Sequence, residues 1–65
     1  MTITIKMYEG NTCLLVEEAV LIKTDEYKPG YLKVWYKRPG DTIRPEDIHM
    51  LEGRTEQFQF IKEKE

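Results

Sequence analysis

Two Pro-Gly pairs, Pro29-Gly30 and Pro39-Gly40, bracket the run Tyr31-Leu32-Lys33-Val34-Trp35-Tyr36-Lys37-Arg38, and this bracket constrains the chain more than any other feature. Proline presets φ at the second position of a turn, and glycine supplies the positive φ that a type II turn requires at the third. A run rich in aromatic and aliphatic residues between two such stops reads as a strand with a turn at each end. Because L-Pro-Gly favours type II geometry, which splays a tight two-residue hairpin, connections of about three to five residues are expected at both sites.

The remaining segments are read from their periodicity. Thr2 to Tyr8 alternates strictly, with Ile3, Ile5 and Met7 on one face and Thr2, Thr4, Lys6 and Tyr8 on the other, as in a half-buried strand. Glu9-Gly10-Asn11 turns the chain. Thr12 to Lys23 is rich in Leu, Val and Ile, but Glu18 would share a face with Val16 and Val20, so a bulge or break is expected near Glu17-Glu18. A short helix from Val16 to Lys23 competes with that strand; β-branched Val20 and Ile22 favour the strand. Thr24 to Lys28 is a polar approach to the first Pro-Gly turn. Thr42-Ile43-Arg44 is expected to begin another short strand. Pro45, without an amide hydrogen, suits the first position of a helical turn, and Glu46 and Asp47 complement its positive end. The expectation is a single 3₁₀ or α turn over Pro45 to Ile48 and a short strand from His49 to Glu52. A helix from Pro45 to Glu52, closed by Gly53, is the competing reading. Arg54 to Lys62 forms the last strand, with Phe58 and Phe60 on one face, and all four glycines are assigned to turns.

These elements define an all-β domain over residues 1–62, with a frayed charged tail at 63–65. The expected architecture is a small SH3-like or Sm-like barrel, or an antiparallel meander, of five to six short strands with one short helical turn near 45–48. Its expected core is Ile3, Ile5, Leu14, Val16, Val20, Ile22, Leu32, Val34, Tyr36, Ile43, Ile48, Phe58 and Phe60. A 65-residue chain hides only roughly 60% of the surface its unfolded form exposes, so that core is thin. Cys13 is the sole cysteine, which excludes an internal disulfide and a Cys/His metal cage.

The start of the chain lacks a charged n-region and a continuous apolar h-region, and no apolar run approaches membrane-spanning length. A cytoplasmic setting without membrane association is expected, and a free thiol fits a reducing compartment. Formal net charge is −2, unevenly spread. Residues 28–44 hold five basic side chains (Lys28, Lys33, Lys37, Arg38 and Arg44) against Asp41 alone, while the segments on either side are acidic.

The string Gly30-Tyr31-Leu32-Lys33-Val34-Trp35-Tyr36, then a turn, Ile43, and Pro45-Glu46-Asp47-Ile48-His49-Met50-Leu51-Glu52, resembles small uncharacterised β proteins of phages and mobile elements of Gram-positive bacteria. In those proteins a Leu-x-Val-x-Tyr strand, a turn, a short strand and an Asp-Ile-x-x-Ile/Leu-Glu ending form a compact β unit. The resemblance covers the middle third of the chain and implies a barrel in a bacterial cytosol. It implies no catalytic residues, and Phe58 to Glu65 extend beyond it.

On the central strand, Leu32, Val34 and Tyr36 share one face, and Tyr31, Lys33, Trp35 and Lys37 share the other. Only one face can enter the core. The alternation of aromatic with basic side chains, continued by Arg38, marks Tyr31, Lys33, Trp35, Lys37 and Arg38 as candidate binding residues. Such a row suits a protein partner, because Trp and Tyr bring apolar area with a polar tip, or a single-stranded nucleic acid, through stacking and phosphate contacts. It also suits plain sheet stabilisation by cross-strand pairs with lysines lying over the rings. The protein partner ranks ahead of nucleic acid, since one strand is a slender electrostatic footprint.

Catalysis is not expected: His49 is the only histidine and has no recognised nucleophile beside it in sequence. Asp41, Glu46, Asp47 and Glu52 lack EF-hand spacing, no phosphate or cofactor fingerprint is present, and Cys13 is expected to be buried and inert. Neither a metal nor a cofactor is therefore expected. The uncharged segment Phe58-Gln59-Phe60-Ile61 is a candidate edge for pairing with a second copy of the chain, or an ordinary closing strand paired with Thr2 to Tyr8.

Overall fold

Alternating residues and tight turns produce one five-stranded antiparallel sheet in the order β4-β3-β2-β1-β5. A computed structural model describes residues 2–62; the charged tail expected at 63–65 lies outside the described residues. The strands are β1 (Ile3–Glu9), β2 (Thr12–Lys28), β3 (Tyr31–Lys37), β4 (His49–Arg54) and β5 (Phe58–Lys62). Two single 3₁₀ turns, η1 (Pro45–Asp47) and η2 (Thr55–Gln57), precede β4 and β5. Among the described residues no helix is long and apolar enough to cross a membrane.

β2 is 17 residues long and belongs to both halves of the sheet: its first part pairs with β1 and its second with β3. The halves fold face to face across it, so Ile3 and Ile5 of β1 join Val34 and Tyr36 of β3 in one buried cluster with Ala19. Leu32, Leu51 and Phe58 pack around that cluster. This strand order, with a shared second strand, puts β4 and β5 at the two ends of one sheet, linked in sequence by η2. Among the described residues no ladder joins β4 to β5, so the sheet is open there.

Turn chemistry sets the registers. Gly10, at φ 60°, occupies the first central position of the two-residue β1–β2 loop, the type II′ arrangement suited to tight hairpins. Pro29-Gly30 is also a two-residue loop, with Lys28 opposite Tyr31, rather than the longer connection expected. Gly30 has φ 81°, the type II value, and the extra residue that β2 carries between Asp25 and Lys28 absorbs the mismatch in twist. Pro39-Gly40 makes a tight turn closed by Asp41 N–H donating to the Arg38 carbonyl at 3.0 Å, but the chain then runs on through η1 before β4.

Thr42-Ile43-Arg44 does not form the expected strand. The Thr42 hydroxyl donates to Asp47 at 2.6 Å, Arg44 Nε donates to Thr42 at 3.0 Å, and Asp47 N–H returns to the Arg44 carbonyl at 2.9 Å. These bonds curl the segment on itself, and Pro45 has no N–H with which to extend a ladder. The last expected strand is likewise interrupted, because the Gln57 side chain reaches back: its Oε1 accepts from Arg54 N–H at 2.8 Å and its Nε2 donates to the Tyr8 carbonyl at 3.0 Å. The helical turn at 45–47 and the strand from His49 form as expected.

The core differs from expectation along β2. Leu14 and Val16 are more than half exposed, Ile22 is exposed, and Ala19 is wholly buried instead. Pairing explains this. Ile3 faces Ala19, Ile5 faces Glu17 and Met7 faces Leu15, so the odd residues of early β2 turn inward and Val16 and Glu18 turn outward. Irregularities sit where Leu14 and Ile22 are extra in β2, not at Glu17-Glu18. Ile43, at the curled loop, and Phe60, at the sheet edge, are also exposed. Cys13 is exposed rather than buried, its thiol 3.4 Å from the Leu15 carbonyl. Gly53 lies inside β4 rather than in a turn.

Candidate functional site

The registers of β2, β3 and β4 build a face of three rows on the side of the sheet away from the core. Lys28, Tyr31 and Arg54 form one row; Asp25, Lys33 and Glu52 the next; Lys23, Trp35 and Met50 the third. Val34 and Tyr36, of the opposite parity on β3, are buried in the core, which commits the other parity outward.

Every ring on this face carries a lysine. Lys23 Nζ lies 4.4 Å from the Trp35 centroid, Lys28 Nζ 4.2 Å from Tyr31 and Lys33 Nζ 4.9 Å from Tyr27. Tyr27 and Tyr31 approach at 6.2 Å between centroids. A hydrogen bond donated to Glu52 holds the Tyr27 hydroxyl above its ordinary pKa; desolvation and the charges of Glu52 and Tyr31 act in the same direction. The cation–π contacts sit at an exposed surface, where each is worth about 0.5–1 kcal/mol.

Of the residues singled out in the sequence, Tyr31, Lys33 and Trp35 are therefore together. Lys37 shares their parity, but its ammonium donates to the Asp41 carbonyl at 2.7 Å and ties the Pro39-Gly40 turn. Arg38 is elsewhere: its Nε donates to Glu17 at 2.7 Å, and Glu17 lies on the inward side of β2 opposite Ile5. That contact, first as a hydrogen bond and then as an ion pair, raises the Arg38 pKa. Tyr27, Lys23, Lys28 and Met50 were missed. A two-residue Pro-Gly turn would have placed Lys28 opposite Tyr31, but a regular count from there sets Lys23 opposite Tyr36 on the core face; only the extra residue that β2 carries between Asp25 and Lys28 brings Lys23 opposite Trp35, and no sequence signal marks it.

Near Tyr31 the face meets a shallow cleft of about 420 Å³ lined by Gly30, Tyr31, Arg54, Thr55 and Glu56. A second cleft of the same volume, lined by Tyr8, Glu9, Gly10, Arg54, Glu56 and Gln57, lies on the other side of Arg54 and is more polar. Thr55 N–H donates to the Gly30 carbonyl at 2.9 Å, which fixes η2 between the two hairpins and so positions Arg54. His49 stacks on Tyr36 at 5.3 Å on the inward side of the sheet, away from these rows. Among the described residues no three His, Cys, Asp or Glu side chains gather in a way that could hold a metal ion.

Fold and face together define a small all-β domain with a mixed aromatic and charged surface. Comparison with protein-family models, with curated proteins and with solved structures gives no match.

Proposed function

We propose that the protein is a non-enzymatic binding module that engages a protein partner through Tyr27, Tyr31 and Trp35 on the β2–β3–β4 face. The observation that carries this reading is the engagement of the lysines. Lys23, Lys28 and Lys33 each lie over a ring, and Lys33 is flanked in register by Asp25 and Glu52. A surface in which cations are interleaved with acids offers aromatic area with polar rims, as protein interfaces do, rather than the continuous positive track that a phosphate backbone follows. The withdrawal of Lys37 and Arg38 into other contacts favours the same choice over a nucleic-acid partner. A reducing cytosol is the setting that suits the exposed free thiol of Cys13.

The test is a quantitative capture experiment from cell extract with three baits: the wild type, W35A, and the double variant K28E/K33E. The expected partner is a protein that survives a wash at about 0.5 M salt and binds W35A at least ~30-fold more weakly, as loss of an aromatic anchor worth about 2 kcal/mol demands. Capture that is released by salt, is abolished in K28E/K33E and is reproduced by a single-stranded oligonucleotide would sink the protein reading in favour of nucleic acid.

A further inference from the structure

Of the two strands that end the sheet, only β5 presents an edge without charge over most of its length. β4 carries His49, Glu52 and Arg54 along its six residues, whereas β5 reads Phe58-Gln59-Phe60-Ile61-Lys62 with charge only at its last position. Gln59, Phe60 and Ile61 are exposed, and β5 pairs with β1 in five consecutive steps with no bulge to twist the edge away. Charge, proline, bulges or a covering segment are the usual means of blocking edge-to-edge pairing, and among the described residues this segment has none of them before Lys62.

We infer that β5 pairs with β5 of a second copy in an antiparallel, two-fold arrangement centred on Phe60, which continues the sheet across the dimer axis. The strand's own sequence selects that register. Directly opposed residues of an antiparallel pair share a face, so with the two copies' inward faces on one side the sum of opposed positions must be even. Centring on Phe60 is the only such choice that overlaps all five residues. It sets Phe60 against its own counterpart, Gln59 against Ile61, and Lys62 against Phe58. No like charges meet. Each Lys62 instead comes beside the aromatic pair formed by Phe58 and Phe60, whose rings stack at 6.1 Å with an interplanar angle of 6°. The isologous contact covers the exposed Phe60 and Ile61 and adds buried apolar area to a core with only five buried residues among those described. It leaves the Trp35 face free and does not depend on that face having a partner.

Sedimentation equilibrium of the wild type tests the assembly, and a cysteine on the axis tests the register. The wild type is expected to reach the mass of two chains, and F60K, which sets like charges opposite each other on the axis, to remain a monomer with an unchanged far-UV spectrum. W35A is expected to dimerise like the wild type. Opposed Cα atoms at about 4.5–5.5 Å fall within the span of a disulfide, so C13S/F60C should cross-link to a dimer under mild oxidation. If F60K fails to fold, the cross-link and the wild-type mass decide. A wild type of single-chain mass up to about 0.5 mM, where even weak pairing would register, overturns the inference. So does a dimer that W35A abolishes, or a dimer in which C13S/F60C forms no cross-link.

Discussion

Gly53 has an ordinary negative-side backbone inside β4, so its lack of a side chain serves space rather than φ. A Cβ there would sit 2.8 Å from Gln57 Oε1 and 2.8 Å from Met7 Cε. Met7 can swing aside, but the Gln57 amide is held at both ends, by Arg54 N–H and by the Tyr8 carbonyl. Gly53→Ala should therefore destabilise the fold by about 1–2 kcal/mol despite the better strand propensity of alanine, as measured by the urea midpoint. In a Gln57→Ala background the same change should cost less, because the clamp is already gone. Tyr36 offers a second test at this scale. Desolvation raises its phenol above the ordinary 10.0, the charge of Glu17 adds to this, and Arg38 opposes it. A proton held more tightly in the folded state contributes stability that is complete below the unfolded pKa and is lost as pH rises through the folded one. Wild-type stability should thus fall above about pH 10, and Tyr36→Phe should flatten that fall.

At the scale of the strand, β2 separates what alternation reveals from what it conceals. Val16 is 60% exposed and Ala19 is 0% exposed, which reverses the order that hydrophobicity suggests. Val16→Lys should stay within about 0.5 kcal/mol of the wild type, while Ala19→Leu should cost about 1–3 kcal/mol by overpacking the place where the two halves meet; thermal denaturation of both variants checks the assignment. β1 and β3 were legible from sequence because their partners' irregularities leave their own alternation intact. β2 was not, since the extra residues at Leu14 and Ile22 lie in β2 itself and break the count of inward positions. Glu18 was the clue: it shares a face with Val16 because that face is the solvent face. The interruption at η2 was illegible for another reason, as it depends on a Gln57 contact with Tyr8, 49 residues away.

For the whole molecule, the bracketed strand and the spacing of turns conveyed an all-β domain with strands β1 to β5, and the structure has that form. Which strands end the sheet followed from long-range pairing; the return of β5 to β1 is the closing-strand alternative, Phe58 to Ile61 against Thr2 to Tyr8, that the sequence had offered. The candidate face was legible only in its central strand. Tyr31, Lys33 and Trp35 announce themselves by alternation, but the lysines that cap them come from β2 and needed the register of the Pro-Gly hairpin.

β2 also limits how such a protein can change over generations. Since one strand supplies a partner to both β1 and β3, a residue inserted or deleted midway shifts every pairing downstream and turns the inward side chains outward unless a bulge absorbs it. A lineage built on this plan can lengthen there only residue by residue, each taken up by a local irregularity as at Leu14 and Ile22. The stretch between β3 and η1, bonded mainly to itself, is where added sequence would be tolerated and where new specificities have room to arise.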